Sequence, residues 1–297
     1  MLQLLLILLA LFALGNLVMM LRAAIRQRAW PRLEAAVVGF VVNFLDTLGI
    51  GSLAPTMAWL KMRRVVPDAL IPPTMIAGLT LPVLAQGLIF LSLLGVALDP
   101  LLLFGCIAAV LAGALVGLRL ITRARAWVVQ AAAAAALLAA AAFYILSILD
   151  LMPVGGTASQ LPPGLTIVAI AANFIFGILL NFGVGNYAPT MALLSLLGLD
   201  PRLCFPIMAA GGALAAATIS AGHLKDNRID MRIAGAMVLT GVPAVLVAAL
   251  LVKSLPLTTL KWLVTAVILY TAVTMLRSAW ATRRAEAENA SEAASVA

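Results

Sequence analysis

Two short runs in this chain carry the residue types and spacing from which chemistry can be argued. Gly49-Ile-Gly51-Ser52-Leu-Ala-Pro55-Thr56-Met57-Ala58 recurs as Gly183-Val-Gly185-Asn186-Tyr-Ala-Pro189-Thr190-Met191-Ala192. Glycine permits a tight turn and lets a ligand come close to the backbone. Proline suits the first turn of a helix, where its missing N–H costs nothing. The remaining free N–H groups of that turn, together with the helix dipole, make an anion-binding end. Ser52, Thr56, Asn186 and Thr190 add hydroxyl and amide contacts, and Asn43, Thr47 and Asn181 stand within a turn or so of the tips. The competing reading is tight helix packing through glycine, with the hydroxyls and amides as interhelical hydrogen bonds. Two copies of the motif weigh toward a site. The expected substrate-binding set is Gly49, Gly51, Ser52, Thr56, Gly183, Gly185, Asn186, Thr190, Asn43 and Asn181.

Asp46 is the one acid well inside an apolar segment; the others, such as Glu34, Asp68, Asp99 and Asp150, fall at segment ends, in loops or in the tail. An intramembrane carboxylate is a functional-site candidate by default, which makes Asp46 the proton-coupling candidate. Against this, its counterpart in the second run is Leu180, and a paired or hydrated structural role stays open. Gln86 lies mid-segment and could line a path; His223 reads as an interfacial loop histidine beside Lys225. Cys106 and Cys204 lack metal-ligand spacing and read as small core residues. No HExxH, P-loop, GxSxG or dinucleotide fingerprint is present, so no cofactor or metal is expected.

These residues need a scaffold, and composition says which kind. Apolar residues make up 64% of the chain and charged residues 10%, against roughly 45–50% and about 25% in soluble domains. Runs at 1–21, 100–121, 126–149, 232–252 and 258–280 have the length of a bilayer crossing, about 20 residues. Segments 33–60, 68–98 and 165–198 are longer and broken by Gly and Pro. Residues 1–21 lack a basic n-region and read as a retained helix rather than a signal peptide. The net charge of +8 sits in short clusters between apolar runs, which argues for membrane topology and against nucleic acid.

The two motifs belong to an internal repeat. Between Phe40 and Gly78, 13 of 39 positions are identical to the stretch 134 residues later, and Pro67, Pro72 and Gly78 fall on Pro201, Pro206 and Gly212. If every segment crosses, Lys and Arg divide 10 against 9 between the two sides; if segments 33–66 and 165–200 enter and leave on one side, they divide 16 against 3. Cytoplasmic enrichment of Lys and Arg favours the second arrangement. The expected fold is therefore an all-α integral membrane protein. It is an inverted repeat of two four-segment halves, each a re-entrant broken hairpin plus three transmembrane helices, with one extra N-terminal helix. The divisions are 1–32 (N-terminal helix and cytoplasmic basic loop), 33–149 (first repeat), 150–164 (linker), 165–280 (second repeat) and 281–297 (disordered cytoplasmic tail). The N-terminus is placed outside and the C-terminus in the cytoplasm of an inner-membrane protein. Gly113-x-x-x-Gly117 allows a close helix contact, within the chain or between subunits, so a homo-oligomer stays open.

Two half-repeats, each opening with a Gly-x-Gly-x-x-x-Pro broken segment, resemble the sulfite exporter TauE/SafE family of membrane permeases over nearly the whole chain after residue 33. The resemblance is carried by Asn43-Phe-Leu-Asp46-Thr-Leu-Gly49-Ile-Gly51 with Pro55, and by Gly183-Val-Gly185 with Pro189. The chain departs from the Gly-x-Gly-Gly-Gly run of many members, having Gly51-Ser52-Leu53 and Gly185-Asn186-Tyr187, as in a divergent member. The resemblance implies a permease for sulfite, a sulfonate or another sulfur-containing organic anion. With the anion argument above, the expectation is a secondary transporter moving a small anion by alternating access. The partners are that anion and the lipid bilayer, with no nucleic acid. An uncoupled anion channel is the alternative, and a membrane enzyme or assembly factor is a further one.

Overall fold

The computed structural model describes residues 2–48, 51–67, 70–94, 97–120, 126–149, 156–180, 186–254 and 256–296. Gly49, Asn181, Gly183 and Gly185 of the expected site lie outside the described residues. Helix α1 spans Leu2–Gln27, and ten more follow in two matching series. The first is α2 (Leu33–Thr47), α3 (Leu53–Arg63), α4 (Ile71–Leu94), α5 (Pro100–Leu120) and α6 (Ala126–Ile148); the second is α7 (Pro163–Leu180), α8 (Tyr187–Leu196), α9 (Pro201–Lys225), α10 (Met231–Ser254) and α11 (Leu257–Val296). Among the described residues, each series is a pair of shorter helices followed by three longer ones. Among the described residues, seven helices are long and apolar enough to cross a membrane: α1, α4, α7, α9, and the bulk of α5, α10 and α11. The chain is a multi-pass membrane protein.

The two series interlock reciprocally. Helix α2 packs on α10, and its repeat counterpart α7 packs on α5; α4 packs on α9, and α6 on α11. Glycines make the closest crossings. A Cβ on Gly113 would lie 2.0 Å from the Phe174 carbonyl oxygen, and one on Gly177 would lie 2.2 Å from that of Val110. The close contact expected of Gly113 is therefore made inside the chain, between α5 and α7.

Hydrogen bonds at the helix ends fix which termini meet. At one end of the bundle, Arg63 at the close of α3 pairs with Glu34 at the opening of α2, Nε to Oε1 at 2.7 Å, and Trp59 Nε1 donates to the same oxygen. At that end Asp230 N–H donates to Thr74 Oγ1, and Gln27 Nε2 to the Ile229 carbonyl. At the other end Ala158, just before α7, exchanges backbone hydrogen bonds with Gly198 and Asp200, which follow α8. Asp99 N–H there donates to the Ser159 carbonyl. Helix α4 runs between the two ends, from Thr74 toward Asp99. So α2 starts and α3 finishes at one end, whereas α7 starts and α8 finishes at the opposite end.

The tail expected to be disordered is helical: α11 continues to Val296. Its Ala, Glu and Arg residues are strong helix formers. Arg284 and Glu288 pair one turn apart at 3.4 Å, and Arg283 lies 5.2 Å over the Trp127 ring of α6.

Candidate functional site

Gly51 holds φ +87, a left-handed conformation that glycine adopts without the Cβ penalty other residues meet. It turns the chain into α3, whose first i→i−4 hydrogen bond runs from Thr56 N–H to the Ser52 carbonyl. Helix α8 opens identically, from Thr190 N–H to the Asn186 carbonyl. In each, the N–H groups ahead of that bond have no partner within the helix, and the proline between them, Pro55 or Pro189, removes one donor.

Both helix starts open on one cavity of about 180 Å³. Gly51, Ser52 and Leu53 line it from the first tip, and Asn186, Tyr187 and Ala188 from the second. Asp46 joins them from α2 and Leu180, its repeat counterpart, from α7. Much of the remaining wall is aliphatic, including Leu79, Val83 and Ile219, while α11 adds Tyr270, Thr271 and Thr274. Among the described residues no Lys, Arg or His lies on this wall.

Ser52 presents both its hydroxyl and its backbone N–H to the Asp46 carboxylate. Gln86 is fully buried on α4. Its Oε1 accepts a hydrogen bond from the Tyr187 hydroxyl. Its Nε2 faces Asp46 without closing a hydrogen bond. Gln86 therefore stands between the carboxylate of the first half and the tip of the second. Asn186 donates Nδ2 to the Met208 carbonyl at 3.3 Å.

Of the expected set, Gly51, Ser52, Asn186 and the coupling candidate Asp46 come together on the wall. Asn43, Thr56 and Thr190 are buried elsewhere. Asn43 donates to the Gly39 carbonyl at 2.7 Å and packs against Gly241 of α10 and Pro82. Thr190 donates to Asn173 Oδ1 at 3.0 Å. Thr56 occupies the repeat-equivalent place, but Gly39 stands where Asn173 would, and the Thr56 hydroxyl has no partner. Gly39 is glycine because Met237 of α10 lies where its Cβ would go, 2.5 Å from the Met237 Cα.

Sequence reasoning missed Tyr187, Tyr270, Thr271 and Thr274. The register offered a signal for the first, since Tyr187 replaces Leu53 at one otherwise matched tip. On α11 the matching positions of α6 are Ala and Leu, a difference that the looser spacing of the last helices obscured.

The fold and cavity define a multi-pass membrane protein with a cavity between repeated helix starts. Residues 165–297 match the model of the Sulfite exporter TauE/SafE family, a family of membrane transporters for sulfite export. The matched stretch begins where the second repeat begins. No curated protein and no solved structure matches the chain.

Proposed function

We propose that this chain is a secondary transporter for a small anion, with the substrate held between the tips of α3 and α8. The observation that carries this reading is the shared cavity, onto which two helix N-termini open from opposite directions. Helix starts favour negative charge through their free N–H groups and a dipole worth about half a charge. The family match over the second repeat, and the internal likeness of the first repeat to it, support the same class. Sulfite, a sulfonate or a related sulfur-containing anion is the proposed cargo.

The opposed open ends of α2–α3 and α7–α8 support an inverted repeat of two re-entrant hairpins. With 11 and 10 residues, α3 and α8 measure about 15 Å each at roughly 1.5 Å per residue, half of a hydrocarbon core of about 30 Å. Their tips then fall near the midplane, where discontinuous helices hold substrate in inverted-repeat transporters. Following the helices from end to end brings Arg22, Arg26, Arg28, Arg32, Lys61, Arg63, Arg64, Lys225, Arg228, Arg232, Arg277, Arg283 and Arg284 to one end of the bundle, the proposed cytoplasmic side of an inner membrane. Rocking of one half against the other about the cavity would give alternating access, with Asp46 as the coupling group.

Flux into liposomes decides between the readings. A transporter loaded with unlabelled sulfite or alkylsulfonate accelerates entry of labelled anion from outside, whereas a channel does not. Absence of saturable flux for any small anion, in folded protein, overturns the proposal.

A further inference from the structure

We infer that Asp46 is a tethered stand-in for the substrate anion at the first tip, so that an anion engages both tips only as Asp46 takes up a proton. The inference rests on the reading of the cavity as an anion site and gives that site its linkage.

The repeat register lays Asp46 over Leu180 and Ser52 over Asn186. At the first tip the carboxylate already holds the place a ligand anion would take, facing the Ser52 N–H and hydroxyl at the start of α3. At the second tip Leu180 supplies no such group, and the start of α8 faces the cavity without an internal anion. Among the described residues, one helix start thus faces a carboxylate and its twin faces none. Between them the Gln86 amide is fully buried with its Nε2 unpaired.

Charge makes the linkage obligatory. The titratable side chains facing Asp46 across the cavity are Tyr187 on α8 and Tyr270 on α11. Helices α4 and α10, both packed on α2, carry no charged residue over 71–94 and 233–252, and the cations of α3, Lys61 and Arg63, are at its far end. A carboxylate and a substrate anion would therefore share a largely aliphatic space with no cation on its described wall, and like charges in such a space disfavour joint ionisation. A proton on the carboxylate removes one charge and releases both Ser52 donors to the incoming anion. A monoanion then enters with one proton, and the site's net charge is unchanged.

The test uses the full chain in lipid nanodiscs, titrated with ethanesulfonate, a strong-acid anion whose own charge is constant with pH. Calorimetry in two buffers of different ionisation enthalpy counts the protons taken up. For wild type we expect uptake approaching one proton per anion, with affinity falling by up to about tenfold per pH unit as pH rises beyond the titration of Asp46. Asp46→Leu, which copies position 180, and Asp46→Asn should bind without proton uptake and with a flat pH profile. Leu180→Asp should add a second tethered anion, abolishing binding near neutrality and restoring it in acid. Wild-type binding with no proton uptake, or uptake persisting in Asp46→Leu, overturns the inference while leaving the anion site standing. No ethanesulfonate binding at any pH, in protein that also carries no anion flux, overturns the site itself.

Discussion

Tyr187, the first residue of α8, gives its hydroxyl hydrogen bond to Gln86 on α4, so the tip of the second half is fastened to the body of the first. Tyr187→Phe keeps the ring and removes the donor, leaving Gln86 Oε1 buried and unpaired. A cost of about 1–3 kcal/mol is expected, read as a lowered unfolding temperature in detergent and as changed transport kinetics. An unchanged melting temperature would show that the bond carries no stability.

Thr56 and Thr190 occupy the same place in the two repeats and should respond differently to the same change. Thr190→Val breaks the bond to Asn173 Oδ1 and strands a buried acceptor, with an expected loss of about 1–3 kcal/mol. Thr56→Val removes a hydroxyl that has no partner and should be neutral or stabilising. Thermal unfolding of the two variants side by side checks the contrast, and equal losses would refute it.

Gly113→Ala should disrupt the α5–α7 crossing, because the new methyl would meet the Phe174 carbonyl at 2.0 Å and the helix backbones must separate. Gly164, with nothing within 4 Å of its Cβ position, is the matched control. Folded yield on size-exclusion chromatography should fall for Gly113→Ala and hold for Gly164→Ala.

Topology is open to labelling. With buried Cys106 and Cys204 as a silent background, a cysteine replacing the exposed Met62 should react with an impermeant reagent from one side of the membrane. A cysteine replacing the exposed Gln160 should react from the other. Labelling of both from the same side would refute the opposed arrangement of the two short-helix pairs.

Asp230 caps the start of α10, its Oδ1 accepting from Arg232 N–H at 2.9 Å, and it also pairs with the Arg232 guanidinium at 2.7 Å. Partial burial pushes its carboxyl up, but the hydrogen bonds and charge of Arg232 outweigh that and hold it below the usual carboxylate value. A group with a depressed folded-state value adds stability above its unfolded value of about 4, and that stability is lost as pH falls through the folded value. Wild type should therefore melt above Asp230→Ala near neutral pH, with the gap closing in acid below about pH 4. A gap independent of pH would assign the effect to packing rather than charge.

The parts of this molecule legible in the sequence are those written in spacing. The Gly-x-Gly-x-x-x-Pro runs located the two helix starts, and Asp46 stood out because a charge in an apolar run is costly. What stayed hidden depends on contacts between segments far apart in the chain. Asn43 and Thr56 look like lining by position, yet α10 draws Asn43 aside through Gly241. Gly39 removes the partner that Thr56 would need. The reach of α11 past residue 280 went unread because its Ala and Glu composition serves a solvated helix as readily as a loose tail.

The reciprocal crossing of α2 with α10 also sets the order in which this molecule can be built. The Thr240 hydroxyl of α10 donates to the Ala36 carbonyl of α2 across 204 residues of chain, so α2 emerges long before the helix that will cover it exists. Its twin α7 meets α5 already made. Synthesis therefore leaves one arm of the repeat waiting and the other docked on arrival, an asymmetry in time that the finished pseudo-symmetric bundle conceals.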